Sequence, residues 1–238
     1  MATGERTPQS LRESELAALA AQIEDCRACP RLVAWREQVA REKRASFVDQ
    51  DYWGRPIPGF GDAAARIAVL GLAPAAHGAN RTGRVFTGDR SGDFLYAALR
   101  RAGLASQPTS TSRDDGLVLH DCFVTAAVRC APPANRPTPA ERDRCLPFAR
   151  RELALLDAVR VIVCLGAFAW DAALSVCSIS VRPRPRFAHA GELALGGKPV
   201  LLGCYHPSQQ NTFTGRLTEP MIDAVLARAR SLAVANVE

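Results

Sequence analysis

The chain has 238 residues, 47% of them hydrophobic and 23% charged, with a net charge of +6 and a pI near 9.1. That balance excludes an intrinsically disordered chain, and the longest apolar run, Val161 to Trp170, is too short to cross a bilayer as a helix. The basic excess favours a polyanionic partner, with nucleic acid first among them.

No linker or internal repeat interrupts the sequence, so a single domain over residues 1–238 is expected. The start, MATGERTPQSLRESE, lacks the apolar core of a signal peptide, which places the chain in the cytosol. Eight cysteines there argue for metal ligation or buried thiols over a disulfide framework.

Leu11 to Cys26 carries leucine, alanine and isoleucine at helical intervals, and it ends in Cys26-Arg-Ala-Cys29-Pro30, a turn that suits two thiolates on one metal centre. Arg31 to Arg44 is basic and helical, and Tyr52 to Asp62 is too rich in glycine and proline to be regular. Arg66 to Asp89 then passes from an apolar strand into a long glycine-rich loop, where His77, Asn80, Arg81, Arg84 and Asp89 supply charge and hydrogen bonds. Ser91 to Ala102 reads as a helix capped by Ser91.

Phe123 to Val128 is a second strand, emptying into Arg129-Cys130-Ala131-Pro132-Pro133-Ala134-Asn135. Thr138 and Glu141 have capping-box spacing at the head of a helix to about Ala158. Val161 to Leu165 is the next strand, with a short helix through Leu174. Residues 181–198 are irregular or a hairpin, Val200 to Tyr205 is the last core strand, and Glu219 to Ala233 is the closing helix. Strand and helix alternate four times, which predicts a mostly parallel sheet between helices with function at the carboxyl ends of its strands.

The four cysteines Cys26, Cys29, Cys130 and Cys145 suit zinc or an iron-sulfur cluster; Cys122, Cys164, Cys177 and Cys204 read as buried packing thiols. His206, fixed by Pro207, is placed to donate to a carbonyl oxygen or an anion. Asp89 reads either as a water-activating carboxylate or as a turn residue or helix cap, and Phe86 either as a stacking face or as a core plug. The glycine-rich loop lacks both common nucleotide-phosphate signatures. The polar stretch Gln209 to Thr214, beside Arg216, suits contacts with DNA.

Taken together, Gly71-Leu72-Ala73-Pro74-Ala75 with the loop through Asp89, Arg129-Cys130-Ala131-Pro132-Pro133, His206-Pro207-Ser208 and the four spaced cysteines resemble the family 5 uracil-DNA glycosylases, from about Cys26 to the last helix. The resemblance implies an α/β fold, a three-layer α/β/α sandwich around a central four-stranded, mostly parallel sheet. It implies a 4Fe-4S cluster on Cys26, Cys29, Cys130 and Cys145, and a monomer in the bacterial or archaeal cytosol, associated with the nucleoid. The implied substrate is damaged double- or single-stranded DNA, from which deaminated bases are removed without strand cleavage.

By the same likeness Asp89, Asn135 and His206 would be catalytic: Asp89 for water, Asn135 at the reacting centre, His206 for charge on the departing base. Gly71, Ala73, His77, Phe86 and Asn211 would contact the substrate, with Phe86 stacking on the flipped base. Leu72 and Ala126 stand where family 4 relatives carry an acidic residue and a uracil-reading asparagine, and both match family 5. Losing that asparagine relaxes the check on the base edge, so hypoxanthine, xanthine and ethenocytosine join uracil as candidate substrates. A non-catalytic nucleic-acid-binding module with a structural zinc and a small-molecule hydrolase with a phosphate loop are the other readings.

Overall fold

The structure is a computed structural model describing residues 7–235; residues 1–6, part of the start read above as leaderless, lie outside the described residues. In chain order the elements are α1 (Pro8–Glu24), α2 (Pro30–Glu42), β1 (Phe60–Gly61), β2 (Ile67–Gly71), α3 (Ala79–Thr82), α4 (Arg90–Arg101) and β3 (Cys122–Ala126). They continue with α5 (Pro139–Leu155), β4 (Val161–Leu165), α6 (Ala167–Val176), β5 (Glu192–Leu193), β6 (Val200–Cys204), α7 (Gln209–Phe213) and α8 (Glu219–Ala235).

The sheet runs β1-β3-β2-β4-β6-β5. Its inner strands, β3, β2, β4 and β6, are parallel, and every residue of each is buried. That is why they read as unbroken apolar runs without alternation: a parallel strand covered on both faces has no polar side. The expected four-stranded sheet is therefore the middle of a six-stranded one. Its edges, β1 and β5, pair antiparallel and span two residues each, too short for any periodic signal.

Ile67, Val69, Val161 and Val163 pack on one face beneath α4 and α8; Ala68, Leu70, Ile162 and Cys164 pack on the other beneath α5 and α6, with α1 lying outside α5. Thr138 and Glu141 form the expected capping box at the head of α5: the Thr138 hydroxyl accepts from the Glu141 amide at 3.2 Å and the Glu141 carboxylate from the Thr138 amide at 2.7 Å. The α4 expectation needs correction, because its cap is Asp89 and not Ser91. Two short helices, α3 and α7, lie inside stretches that read as irregular, each too brief to show a 3.6-residue period. Among the described residues no helix is long and apolar enough to cross a membrane.

Because the inner strands are parallel, Gly71, Ala126, Leu165 and Cys204 end at one edge of the sheet. From β2 the chain goes to β3 on one side and then to β4 on the other, so the strand order reverses beside Gly71. Such a reversal opens a crevice at the carboxyl ends of the strands.

Candidate active site and the four-cysteine centre

The loop after β2 is folded around Asp89. One carboxylate oxygen of Asp89 accepts from the Gly92 amide at 3.0 Å, capping α4; the other lies against Gly78, where an added Cβ would sit 2.0 Å from it. Burial raises the Asp89 pKa from its ordinary 3.8, opposed by the Gly92 and Ser91 amides. Gly78→Ala is therefore expected to displace the carboxylate and cut activity while α4 stays formed; wild-type activity from Gly78→Ala would show that the Asp89 position is unimportant.

Gly92, whose amide caps onto Asp89, also lies against the Phe86 carbonyl, and Phe86 faces the rest of the crevice. Its φ of 52° places a bulky residue in the left-handed region, a local strain of about 1–3 kcal/mol of the kind found where surrounding structure holds a residue for use. Its ring lies on Gly71, where an added Cβ would come within 2.7 Å, and its centroid is 5.9 Å from that of His206. Ala126 pairs with Gly71 across the strands, so a methyl group borders this spot. Burial pushes the His206 pKa down to about 4, which keeps the imidazole neutral near pH 7. The His206 backbone carbonyl accepts from Asn211 Nδ2 at 2.8 Å, fixing the turn into α7.

The other polar residues of the loop mostly build it. Arg84 is buried against Asp115 at 2.7 Å, Asn80 donates to the Arg36 carbonyl at 3.2 Å, and Arg81 donates to the carbonyls of His77 and Gly88. His77 is half-buried, with its Nδ1 3.0 Å from the Tyr52 hydroxyl; burial, with Arg44 and Arg81, lowers its pKa. Tyr52 supports the loop from the segment Tyr52 to Asp62, whose glycine and proline content marks it as an irregular loop lying against the site.

The sequence candidates do not all converge. Gly71, Phe86 and His206 lie together, Asp89 is tied to the Phe86 backbone only through Gly92, and Asn211 sits behind His206. Asn135 is exposed in a short turn at φ 55°, and its side chain makes no hydrogen bond among the described residues. Ala73 packs with Leu32, Val128 and Cys130, on the side facing the cysteines. Phe213, which sequence reasoning did not single out, is 68% exposed at the end of α7, with the Arg90 guanidinium 5.3 Å from its ring centroid. A phenylalanine inside the otherwise polar stretch Gln209 to Thr214 was the available signal.

Cys26, Cys29, Cys130 and Cys145 border one small cavity together with Leu32 and Val128. Among the described residues no three His, Cys, Asp or Glu side chains form a group ready to hold one metal ion. Burial pushes the Cys130 thiol up to about 11 and the Cys145 thiol up to about 12, against the pull of Arg36 on the first and Arg129 on the second. Both sulfurs accept N–H groups: Arg36 Nη1 donates to Cys130 Sγ at 3.0 Å and the Arg129 amide to Cys145 Sγ at 3.3 Å. Donors aimed at sulfur suit thiolate ligands. Cys122, Cys164 and Cys204 are buried in strands as expected, but Cys177 is only half-buried, because it caps α6 at the protein's edge.

A second buried pair underlies this region. Arg129 and Glu152 are 1% and 2% exposed and meet at 2.6 Å, while Glu152 also accepts from the Thr125 hydroxyl at 2.7 Å and the Gly59 amide at 2.9 Å. It joins β3, α5 and the glycine-proline stretch in one polar knot.

The model of the uracil DNA glycosylase superfamily matches residues 58–230. A type-5 uracil-DNA glycosylase of Mycobacterium tuberculosis is 59% identical over 216 residues, covering 90% of this chain and 81% of its own length. One from Thermus thermophilus is 54% identical over 208 residues, 87% of this chain and 94% of its own length. A type-4 uracil-DNA glycosylase of Archaeoglobus fulgidus is more distant, 31% identical over 157 residues, 64% of this chain and 70% of its own length. The chain belongs to the uracil DNA glycosylase superfamily and, within it, to the type-5 uracil-DNA glycosylases.

Proposed function

We propose that the chain hydrolyses the N-glycosidic bond of uracil and other deaminated bases in DNA, as a single-domain monomer acting in the cytosol on double- or single-stranded substrate. The observation that carries this reading is the pairing of an aromatic face with a neutral imidazole, Phe86 and His206, beside the loop whose buried carboxylate is Asp89.

A base inside a duplex hides its bond to the sugar, so the nucleotide must leave the stack. Phe86, strained and held on Gly71, offers a face on which the extruded base stacks. As the glycosidic bond breaks, its electron pair goes to the base and the sugar carbon becomes cationic. A water oxygen adds to that carbon and passes its proton to Asp89, while the neutral His206 ring donates a hydrogen bond to the base anion. The base anion takes a proton from solvent and Asp89 returns its proton to solvent, which leaves a free base and an abasic site, since none of these loops presents a lysine for strand cleavage.

The exposed Phe213, with Arg90 over its ring, suits a wedge against the opened stack, and Asn211 holds the turn that presents it. Asn135, in the loop after β3 and exposed, is assigned to the reacting centre by the family likeness alone.

Asp89 must be ionised to take the proton, and its pKa is raised. Activity is therefore full above that pKa and lost as pH falls through it, at a pH above the ordinary 3.8. His206, pushed down to about 4, contributes no step near 6.5. A pH-rate profile of base release with an imidazole step near 6.5 would contradict the assignment.

The four thiols and the N–H groups aimed at them fit a 4Fe-4S cluster held by Cys26, Cys29, Cys130 and Cys145. When bound it supplies a cross-link between the start of α2, the loop after β3 and α5. Protein prepared without oxygen is expected to contain about four irons per chain; zinc in their place would overturn this assignment.

Ala126 at the crevice leaves the base edge without a side-chain amide to read it. Duplexes carrying a single uracil or a single hypoxanthine test the breadth of substrate: release of both is expected, and release of uracil alone would overturn the broad range.

A further inference from the structure

We infer that Arg36 is the internal counter-cation of the four-cysteine centre, a buried charge that the fold accommodates because thiolates face it. The inference rests on the cluster assignment above.

Three arginines are buried among the described residues, and two of them are matched by acids: Arg84 meets Asp115 at 2.7 Å and Arg129 meets Glu152 at 2.6 Å. Arg36, 1% exposed, forms no ion pair with a carboxylate among the described residues. Its Nη1 donates to Cys130 Sγ at 3.0 Å, its Nη2 to the Cys26 carbonyl at 3.2 Å, and its Nε is buried without a partner. A dehydrated guanidinium whose partners are one thiol and one carbonyl is unfavourable, because nothing there compensates its charge. The same guanidinium becomes favourable when the sulfur it touches is anionic, since charge-assisted hydrogen bonds are short and strong.

The sequence places the cation well for this. Arg36 is on α2, which begins directly after Cys29, and points back to Cys26 and across to Cys130. One residue thus touches two of the segments that the centre joins. Its own carbonyl accepts from Asn80, fully buried in the loop that ends at Asp89, so α2 lies between the thiols and the reacting loop. Arg36 does not touch substrate and is a positioning residue.

Arg36→Met keeps an unbranched apolar stem and removes the guanidinium with its charge. The test compares thermal unfolding of wild type and Arg36→Met, each cluster-loaded and metal-stripped, together with the rate of iron release to a chelator. The expected result differs between the two states: the stripped variant melts no lower than the stripped wild type, while the loaded variant melts lower and loses iron about 10- to 100-fold faster, as when a partner of a metal ligand is removed. If the stripped wild type is itself unfolded, iron release decides alone. Equal destabilisation of both forms with unchanged iron release, or a stripped variant that unfolds where the wild type does not, would overturn the inference and make Arg36 a packing residue. Wild-type protein without iron and sulfide would overturn the cluster assignment first, and the inference with it.

Discussion

Asp89→Asn is expected to lower uracil release by about 10²- to 10⁴-fold, the usual loss when a positioned proton acceptor is removed, with little change in melting temperature. The two effects separate because Asp89 has two roles. Its Oδ1 caps α4 through the Gly92 amide, and asparagine caps a helix nearly as well as aspartate. Its carboxylate, buried and with a raised pKa, is the group placed to accept the water proton, and an amide cannot accept it. Asp89→Ala should lose activity similarly and about 1 kcal/mol of stability as well, because the cap goes too. Base release by Asp89→Asn at the wild-type rate would leave the carboxylate with the cap alone.

Glu152→Ala is expected to destabilise the protein by about 3–5 kcal/mol, because it strands Arg129 in the interior without its acid. For a chain of this size that corresponds to a fall in melting temperature of about 6–20 °C. The loss should extend to the cysteine centre, since the Arg129 amide donates to Cys145 and the Arg129 carbonyl holds the Ile57 amide at 2.8 Å. Thermal unfolding checks this, and a melting temperature unchanged by Glu152→Ala would mean that Arg129 finds another partner.

The fold was legible where burial and covalent chemistry act locally. The four inner strands are continuous apolar runs because both faces of a parallel sheet are covered, and Thr138 with Glu141 announces α5 because a capping box needs only residues three apart. The edge strands were not legible, since two residues carry no period. The cap of α4 is not legible between Ser91 and Asp89, because both residue types cap well and only the loop's path decides which oxygen meets the Gly92 amide.

The site was legible as loops and not as contacts. Asp89, Phe86 and His206 could be placed at one sheet edge from strand order, but the approach of Asp89 to Gly78 and of Phe86 to Gly71 depends on the three-dimensional path. For the same reason Arg84 and Asn80, polar residues in a functional-looking loop, proved to be buried supports whose partners, Asp115 and the Arg36 carbonyl, lie 31 and 44 positions away. Arg36 falls on the apolar stripe of α2 with Leu32, Val33 and Val39, which marks it as the arginine that turns inward, but its partner, a sulfur 94 positions away, had no sequence signal.

A labelled duplex carrying one uracil, incubated with the chain and then treated with alkali, decides whether this arrangement is a glycosylase. The expected result is scission at the uracil position only after alkali, the mark of base release that leaves an intact strand with an abasic site. An uncut strand from folded protein would contradict the proposed activity, and scission before alkali would contradict hydrolysis as its chemistry.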